Sequence, residues 1–309
     1  MGDLLRSRLF WGSLAFLALA AAFPLVGGPY TMGVLIPAFY FAVFAMSWDL
    51  LFGFAGEVNF GPTFLIGLGA YGAAIVDVQF GLGIPLSVAC GTALAVAGGV
   101  ALALPALRLT GPYFGLITLV AVLLLQQMVT VFAGLSGGEI GLSLPDVLSI
   151  DDTTNYEFAL GFLAVAGTVL FALSRSPAGL ILQACGQDPV EAQALGFNVA
   201  KHKLAAFVVS AFFSGLSGAL LVFYYGTASP GTFVDIAVAV QIIIAAVLGG
   251  RRTIVGAVLG ALFLVVAGEV LRPLGQLSTF VVSGVALVVI LLVPAGFLGT
   301  LLHGRGSAS

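Results

Sequence analysis

Ten long apolar runs follow one another along the chain, at about 9–27, 33–52, 62–79, 84–104, 112–133, 158–173, 204–225, 237–250, 254–271 and 276–298. A helix needs about 20 apolar residues to cross the hydrocarbon core of a bilayer, and most of these runs approach that length. The apolar residues are continuous rather than alternating, so helices, not a closed β-barrel, satisfy the backbone in lipid. Charge leads to the same conclusion. Only 7% of the 309 residues are charged, against about 25% in a soluble domain, which is too few to cover a water-facing surface. The same arithmetic excludes a disordered chain, a disulfide scaffold and a basic nucleic-acid binder. The sequence therefore predicts an all-α polytopic membrane helix bundle, a single domain over 1–309.

Pro, Gly or charged residues separate the runs, at Gly28-Pro29, Gly83 to Pro85, Pro105 to Pro112, Ser174 to Pro177, Pro230, Arg251-Arg252 and Arg272-Pro273. The first run follows Arg6 and Arg8, but it is longer than the apolar part of a signal peptide and further spans follow it. Cytoplasmic loops carry excess Lys and Arg. With ten crossings and the N-terminus inside, Arg6, Arg8, Arg108, Arg175, Lys201, Lys203, Arg251, Arg252 and Arg305 all fall inside, and only Arg272 of the 10 cations falls outside. Both termini are then cytoplasmic. The loop 174–203 is cytoplasmic too, and the loop 134–157, with Glu139, Asp146, Asp151, Asp152 and Glu157, is extracytoplasmic. The run 237–250 reaches only about 21 Å at 1.5 Å per residue, short of a ~30 Å core. Eight crossings plus re-entrant half-helices is therefore the alternative. Cys90 and Cys185 fall at different membrane depths and are expected to be unpaired.

Polar residues and helix breakers cluster in one apolar stretch, 47–73, where Gly53, Gly56, Gly61 and Pro62 interrupt it and Asp49, Glu57 and Asn59 lie within it. Irregular backbone at membrane depth is tolerated where protein or a water-filled cavity surrounds it, and its freed N–H and C=O groups can meet a polar solute. Asp49, Gly53, Gly56, Glu57, Asn59 and Gly61 are thus candidates for a translocation path or gate. An ordinary cytoplasmic turn is the other account of the same residues. Gln126 and Gln127 fit helix–helix hydrogen bonding, and Glu269 with Arg272 fits an i,i+3 ion pair. Gly67, Gly69 and Gly72, together with Gly215, Gly218, Gly256 and Gly260, are spaced for close helix approach, in a tight bundle or at a dimer interface.

The loop 174–203 contains a helix-start signal. Asp188 can cap, Pro189 suits the first helical position, Glu191 stands at the third, and Gly196 can close the helix. A short capped helix between two spans has the form of a docking element for a soluble partner, with Asp188, Glu191, Ala192, Ala194 and Gly196 at its surface. The helix has no Lys or Arg for anionic lipid. The sequence has no Walker A, HExxH or GxSxG motif. His202 and His303 stand alone, and neither a metal cluster nor a cofactor motif is apparent. No enzymatic activity is expected of the chain itself.

Five stretches carry a family resemblance: "LLFGFAGEVNFGPTFLIGLGAYGAA" (50–74), "GPYFGLITL" (111–119), "LSGGEIGLS" (135–143), "SPAGLILQACGQDPVEAQALGFNVAKHKLAAFVVSAFFSGLSGAL" (176–220) and "VLGGRRTIVGAVLGA" (247–261). Over roughly 40–300 the chain resembles the M-type permease subunits of ATP-binding-cassette importers for branched-chain amino acids. The long "ALGFNVAKHKLAAF" run is the most specific piece. The sequence departs from the family pattern at Glu57, Pro62, Cys185-Gly186, Arg251-Arg252 and Ala257. The resemblance implies a cytoplasmic-membrane permease that pairs with a second homologous permease, two cytoplasmic ATPase subunits that bind the ATP, and an extracytoplasmic solute-binding protein. It makes the helix around Asp188, Glu191 and Gly196 the coupling helix. It implies branched-chain amino acids as cargo, or small relatives such as urea and short amides. The rival expectation is an ion-coupled secondary transporter or channel for a small polar solute, working through Asp49, Glu57 or Glu269.

Overall fold

The computed structural model describes residues 12, 16–107, 113–275, 277, 281, 284 and 296. Seven stretches are long and apolar enough to cross a membrane. They are Pro29–Ala55, made of helix α2 (Pro29–Asp49) and a π-helical turn (Leu50–Ala55), α3 (Pro62–Phe80), α4 (Ile84–Ala106), α5 (Tyr113–Val131), α6 (Asp152–Arg175), α9 (Val199–Tyr225), and Pro230–Gly249, which ends in α10 (Ile236–Gly249). Two shorter apolar helices, α1 (Phe16–Leu25) and α11 (Val255–Val270), correspond to two more of the expected runs. The expected run 276–298 lies almost entirely outside the described residues, as do Arg6, Arg8, Arg108 and Arg305. The run 237–250 looked too short to span because the turn Pro230–Phe233 precedes it, and the two together form a 20-residue stretch.

Burial orders the bundle. In Pro29–Ala55 and in α9, 78% of the apolar window is enclosed by the rest of the chain, in α3 61%, and in α4, α5, α6 and Pro230–Gly249 only 33–39%. The first two therefore form the centre, and the less buried helices present an apolar outer face. Prolines start α2, α3 and α4 at the first or second position, where no intrahelical donor is lost. Small residues at the crossings let backbones meet. A Cβ at Gly218 would press on the Ile66 carbonyl, and one at Gly69 would overlap the Gly215 carbonyl. Gly215 itself lies against Ala95 of α4, and Gly256 and Gly260 lie against the backbone of α10. Gly215, Gly218, Gly256 and Gly260 thus all make close contacts within the chain.

The two ends of the bundle differ. At one end stand Arg175, Lys201, Lys203, Arg251 and Arg252, around the break after α2. At the other, the Glu269 carboxylate accepts from the Arg272 guanidinium at 3.0 Å and from the Tyr30 hydroxyl, joining α11 to the start of α2. Strands β1 (Leu142–Ser143) and β2 (Thr227–Ala228) pair antiparallel at this second end, with Leu142 opposite Ala228. The N–H of Leu148 donates to Phe223 O at 3.1 Å, so the segment after β1 is pinned to the end of α9.

Candidate functional site

The break between α2 and α3 is built from the residues that interrupt the apolar pattern. After Asp49 the helix widens into the π turn, and Gly56 ends it at φ 73, a left-handed conformation that favours glycine. Residues 56–61 then run irregularly to Pro62. Asn59, 1% exposed, holds this stretch from both sides. Its Oδ1 accepts from Gly61 N–H at 2.8 Å, and its carbonyl accepts from Trp48 Nε1 at 2.6 Å. The Phe60 N–H donates to Thr118 Oγ1 at 3.0 Å, and a Cβ at Gly61 would overlap the Thr118 carbonyl, so the break is packed onto α5.

Asp49 is fully buried. Its carboxylate accepts three backbone N–H bonds from the loop before α11, from Arg252 at 3.0 Å, Thr253 at 3.2 Å and Ile254 at 3.1 Å. That loop is strained, with Arg252 at φ 65 and Ile254 at φ 29, which a β-branched residue rarely adopts. Asp49 supplies the counter-interaction that keeps it so. Gly53 leaves the room this needs, because a Cβ there would press on Asp49 Oδ1 and Arg252 N. The Arg252 Nε donates to Gly53 O at 2.7 Å, and the Arg251 guanidinium lies 4.4 Å from the Phe52 ring.

Glu57 faces the loop 174–203. It pairs with Lys203 Nζ at 2.5 Å, with both side chains less than a fifth exposed. The loop contains two helices, α7 (Pro177–Gln187) and α8 (Pro189–Ala194). Helix α7 was not anticipated, although Ser176-Pro177 is a start signal of the same kind as Asp188-Pro189: Ser176 Oγ accepts from Gly179 N–H at 3.3 Å. It lies against the π turn, where Gly186 meets Phe54, Ala55 and Gly56 with no side chain on the Gly186–Gly56 contact. Cys185, in this helix, is fully buried, and burial pushes its thiol above the usual range.

Helix α8 forms as its residues specify. Asp188 Oδ1 accepts from Val190 N–H at 2.9 Å and Glu191 N–H at 3.0 Å. At the other end Gly196, at φ 89, donates to Gln193 O at 2.9 Å while Phe197 N–H donates to Ala192 O at 3.1 Å, which is a Schellman closure. Ala192 is buried against Cys185 and Val199, whereas Asp188, Glu191, Ala194 and Gly196 are exposed. Val190 is 76% and Leu195 75% exposed, so the outward face carries two apolar side chains beside a carboxylate. The structure thus brings Glu57, Gly56, Lys203, α7 and α8 together at one end. Asp49 and Asn59 are tied instead to neighbouring backbone. No group of three or more His, Cys, Asp or Glu side chains suited to a metal occurs among the described residues.

The match to known proteins covers the same architecture. The family model of the branched-chain amino acid transport system permease component matches residues 30–294. The chain belongs to this family. It is 27% identical to the high-affinity branched-chain amino acid transport system permease protein LivM of Escherichia coli K12, across 96% of this chain and 76% of the relative. It is 28% identical to LivH of Salmonella typhimurium LT2, across 84% of this chain and 91% of that protein. The ribose import permease RbsC of Haemophilus influenzae is 27% identical across 75% of this chain and 74% of its own length. No solved structure matches. The chain is a multi-pass membrane permease, and the family is one of transport subunits rather than enzymes.

Proposed function

We propose that the chain forms, with a second permease, the membrane pathway of an importer for branched-chain amino acids, driven by two cytoplasmic ATPase subunits and supplied by an extracytoplasmic solute-binding protein. The names of LivM and LivH support the cargo. The end that carries Arg175, Lys203 and Arg251 faces the cytoplasm, as the positive-inside rule expects. With 276–298 as a tenth crossing, both termini lie there too, and the segment 134–157 faces the binding protein. The ATP is bound by the partner ATPase subunits.

One observation carries the mechanism: the exposed helix α8 is joined to the broken segment after α2 on two sides, through α7 by the Gly186–Gly56 contact and through the start of α9 by the Lys203–Glu57 pair. An ATPase that moves α8 therefore moves a rigid two-helix lever against the break, and Gly53 to Gly61 act as its hinge and gate. Asp188, Glu191, Ala194 and Gly196 form the exposed face of the coupling element, and the buried Ala192 seats it on Cys185 and Val199. The test is Glu191→Lys in the reconstituted importer. Reversing one exposed charge leaves the fold intact and uncouples ATP hydrolysis from uptake. Wild-type uptake by this variant would remove the coupling assignment.

A further inference from the structure

The outer face of the bundle carries two side-chain amides that find no partner in the chain. Helix α5 presents Leu116, Val120, Leu123 and Gln127 outward, spaced by four, three and four residues. That spacing is the seam of a helix that packs along a second helix, here with one polar side chain among apolar ones. Exposed apolar residues continue past Gln127, at Met128, Val131 and Phe132, so the amide stands inside the apolar band. On α10, Ala237, Val240 and Gln241 are exposed together. Neither the Gln127 nor the Gln241 side chain has a hydrogen-bond partner among the described residues. The two helices flank the same point of α3. A Cβ on Gly67 of α3 would meet Leu125 of α5 at 3.0 Å and Val234, which leads into α10, at 2.9 Å.

Other outward faces lack this feature. Every exposed side chain of α4 is apolar. Thr168, exposed on α6, donates to Ala164 O of its own helix at 2.7 Å. Those two faces are complete against lipid. A glutamine amide has two donors and an acceptor oxygen. Lipid tails offer no partner for it, so an unpaired amide at membrane depth is costly. A soluble protein cannot reach that depth. Another membrane helix can, and glutamine is one of the residues that hydrogen-bond across helices in lipid. Because the amide both donates and accepts, such a face can meet a like face on a second permease.

We propose that the outward faces of α5 and α10 are where the second permease docks, with Gln127 and Gln241 hydrogen-bonded across the contact. This rests on the pairing of two permeases stated above and assigns that pairing to named helices. The test places a photo-crosslinking amino acid at Leu123, at Val240 and, for comparison, at Val165 on the outer face of α6, in the importer assembled in membranes from the chain and its genomic neighbours. Adducts are identified by mass spectrometry. Positions 123 and 240 are expected to give adducts to a second permease chain, and position 165 to lipid alone. Adducts to lipid or within the same chain at 123 and 240, while a second permease co-purifies, would overturn the proposal and leave the importer reading standing; so would permease adducts of equal yield at 165. Absence of a second permease from the purified importer would overturn both. Gln127→Leu and Gln241→Leu keep the apolar face and test the amides. Each is expected to weaken permease pairing in detergent about threefold, the effect of one hydrogen bond between membrane helices, with the unfolding temperature of the separated chain unchanged. Pairing as tight as wild type in both variants would overturn the amides as the contact.

Discussion

Substitution of Asp49 separates a structural anchor from a residue that meets the solute. In the wild type one carboxylate oxygen accepts from Arg252 N–H and the other from Thr253 and Ile254 N–H. Alanine removes all three acceptors. Ile254 is buried while Arg252 and Thr253 are partly exposed, so one donor is orphaned fully and two can recover water. An orphaned buried donor costs about 1–3 kcal/mol, and hydrogen bonds to a charged group contribute about 1.5–3 kcal/mol. The sum for Asp49→Ala is about 3–5 kcal/mol. Asparagine can keep its carbonyl where Thr253 and Ile254 donate, but its amide then faces the Arg252 N–H, so Asp49→Asn costs about 1–3 kcal/mol. At roughly 2–4 °C per kcal/mol for a larger domain, the alanine variant melts on the order of ten degrees lower and asparagine falls between. The assay is thermal unfolding of the purified chain in detergent, followed by intrinsic fluorescence, with proteolysis of the 250–254 loop as a local readout. Both variants melting with the wild type, with the loop equally protected, would refute the anchor role and return Asp49 to the candidates for the solute path.

The Glu57–Lys203 pair is mostly sheltered from water, so a double-mutant cycle with Glu57→Gln and Lys203→Met is expected to give a coupling of about 1–2 kcal/mol in stability, above the ~0.2–1 kcal/mol of exposed pairs. A zero coupling would show that the break and the start of α9 are not joined there. Gly186→Leu drives a side chain into the Phe54 carbonyl and Ala55; uptake is expected to fall to background while the ATPases still co-purify, and normal uptake would exclude the glycine contact as a transmission point. Because burial encloses Cys185 and raises its pKa, its thiolate fraction at pH 8 is small, and maleimide is expected to label it only after denaturation. Rapid labelling of Cys185 in the native protein, in a Cys90→Ser background, would show that α7 does not pack as described.

The helix bundle was legible because lipid removes alternatives. Once runs near 20 residues are continuous and apolar, only helices remain, and the Pro and Gly punctuation sets their ends. Helix α8 was legible for a local reason, since Asp188, Pro189, Glu191 and Gly196 fix its caps within the segment itself. The role of Asp49 was not. A polar residue in an apolar run indicates that it needs a partner, but its partners are backbone groups more than 200 positions away, from Arg252 to Ile254, and N–H groups carry no sequence signature. Lys203 was read only as a charge on the cytoplasmic side because pairing with Glu57 depends on how α9 crosses the break. Glu269 and Arg272, three positions apart on one helix turn, were legible in full.

Whether α8 is the contact through which ATP drives this permease can be asked directly with a photo-crosslinking amino acid at position 190, which is 76% exposed on that helix. The importer would be assembled in membranes from the chain and its genomic neighbours, irradiated, and the adducts identified by mass spectrometry. An adduct to the ATPase subunit is the expected result; adducts to lipid alone, in membranes where the ATPase is present and bound, would contradict the account.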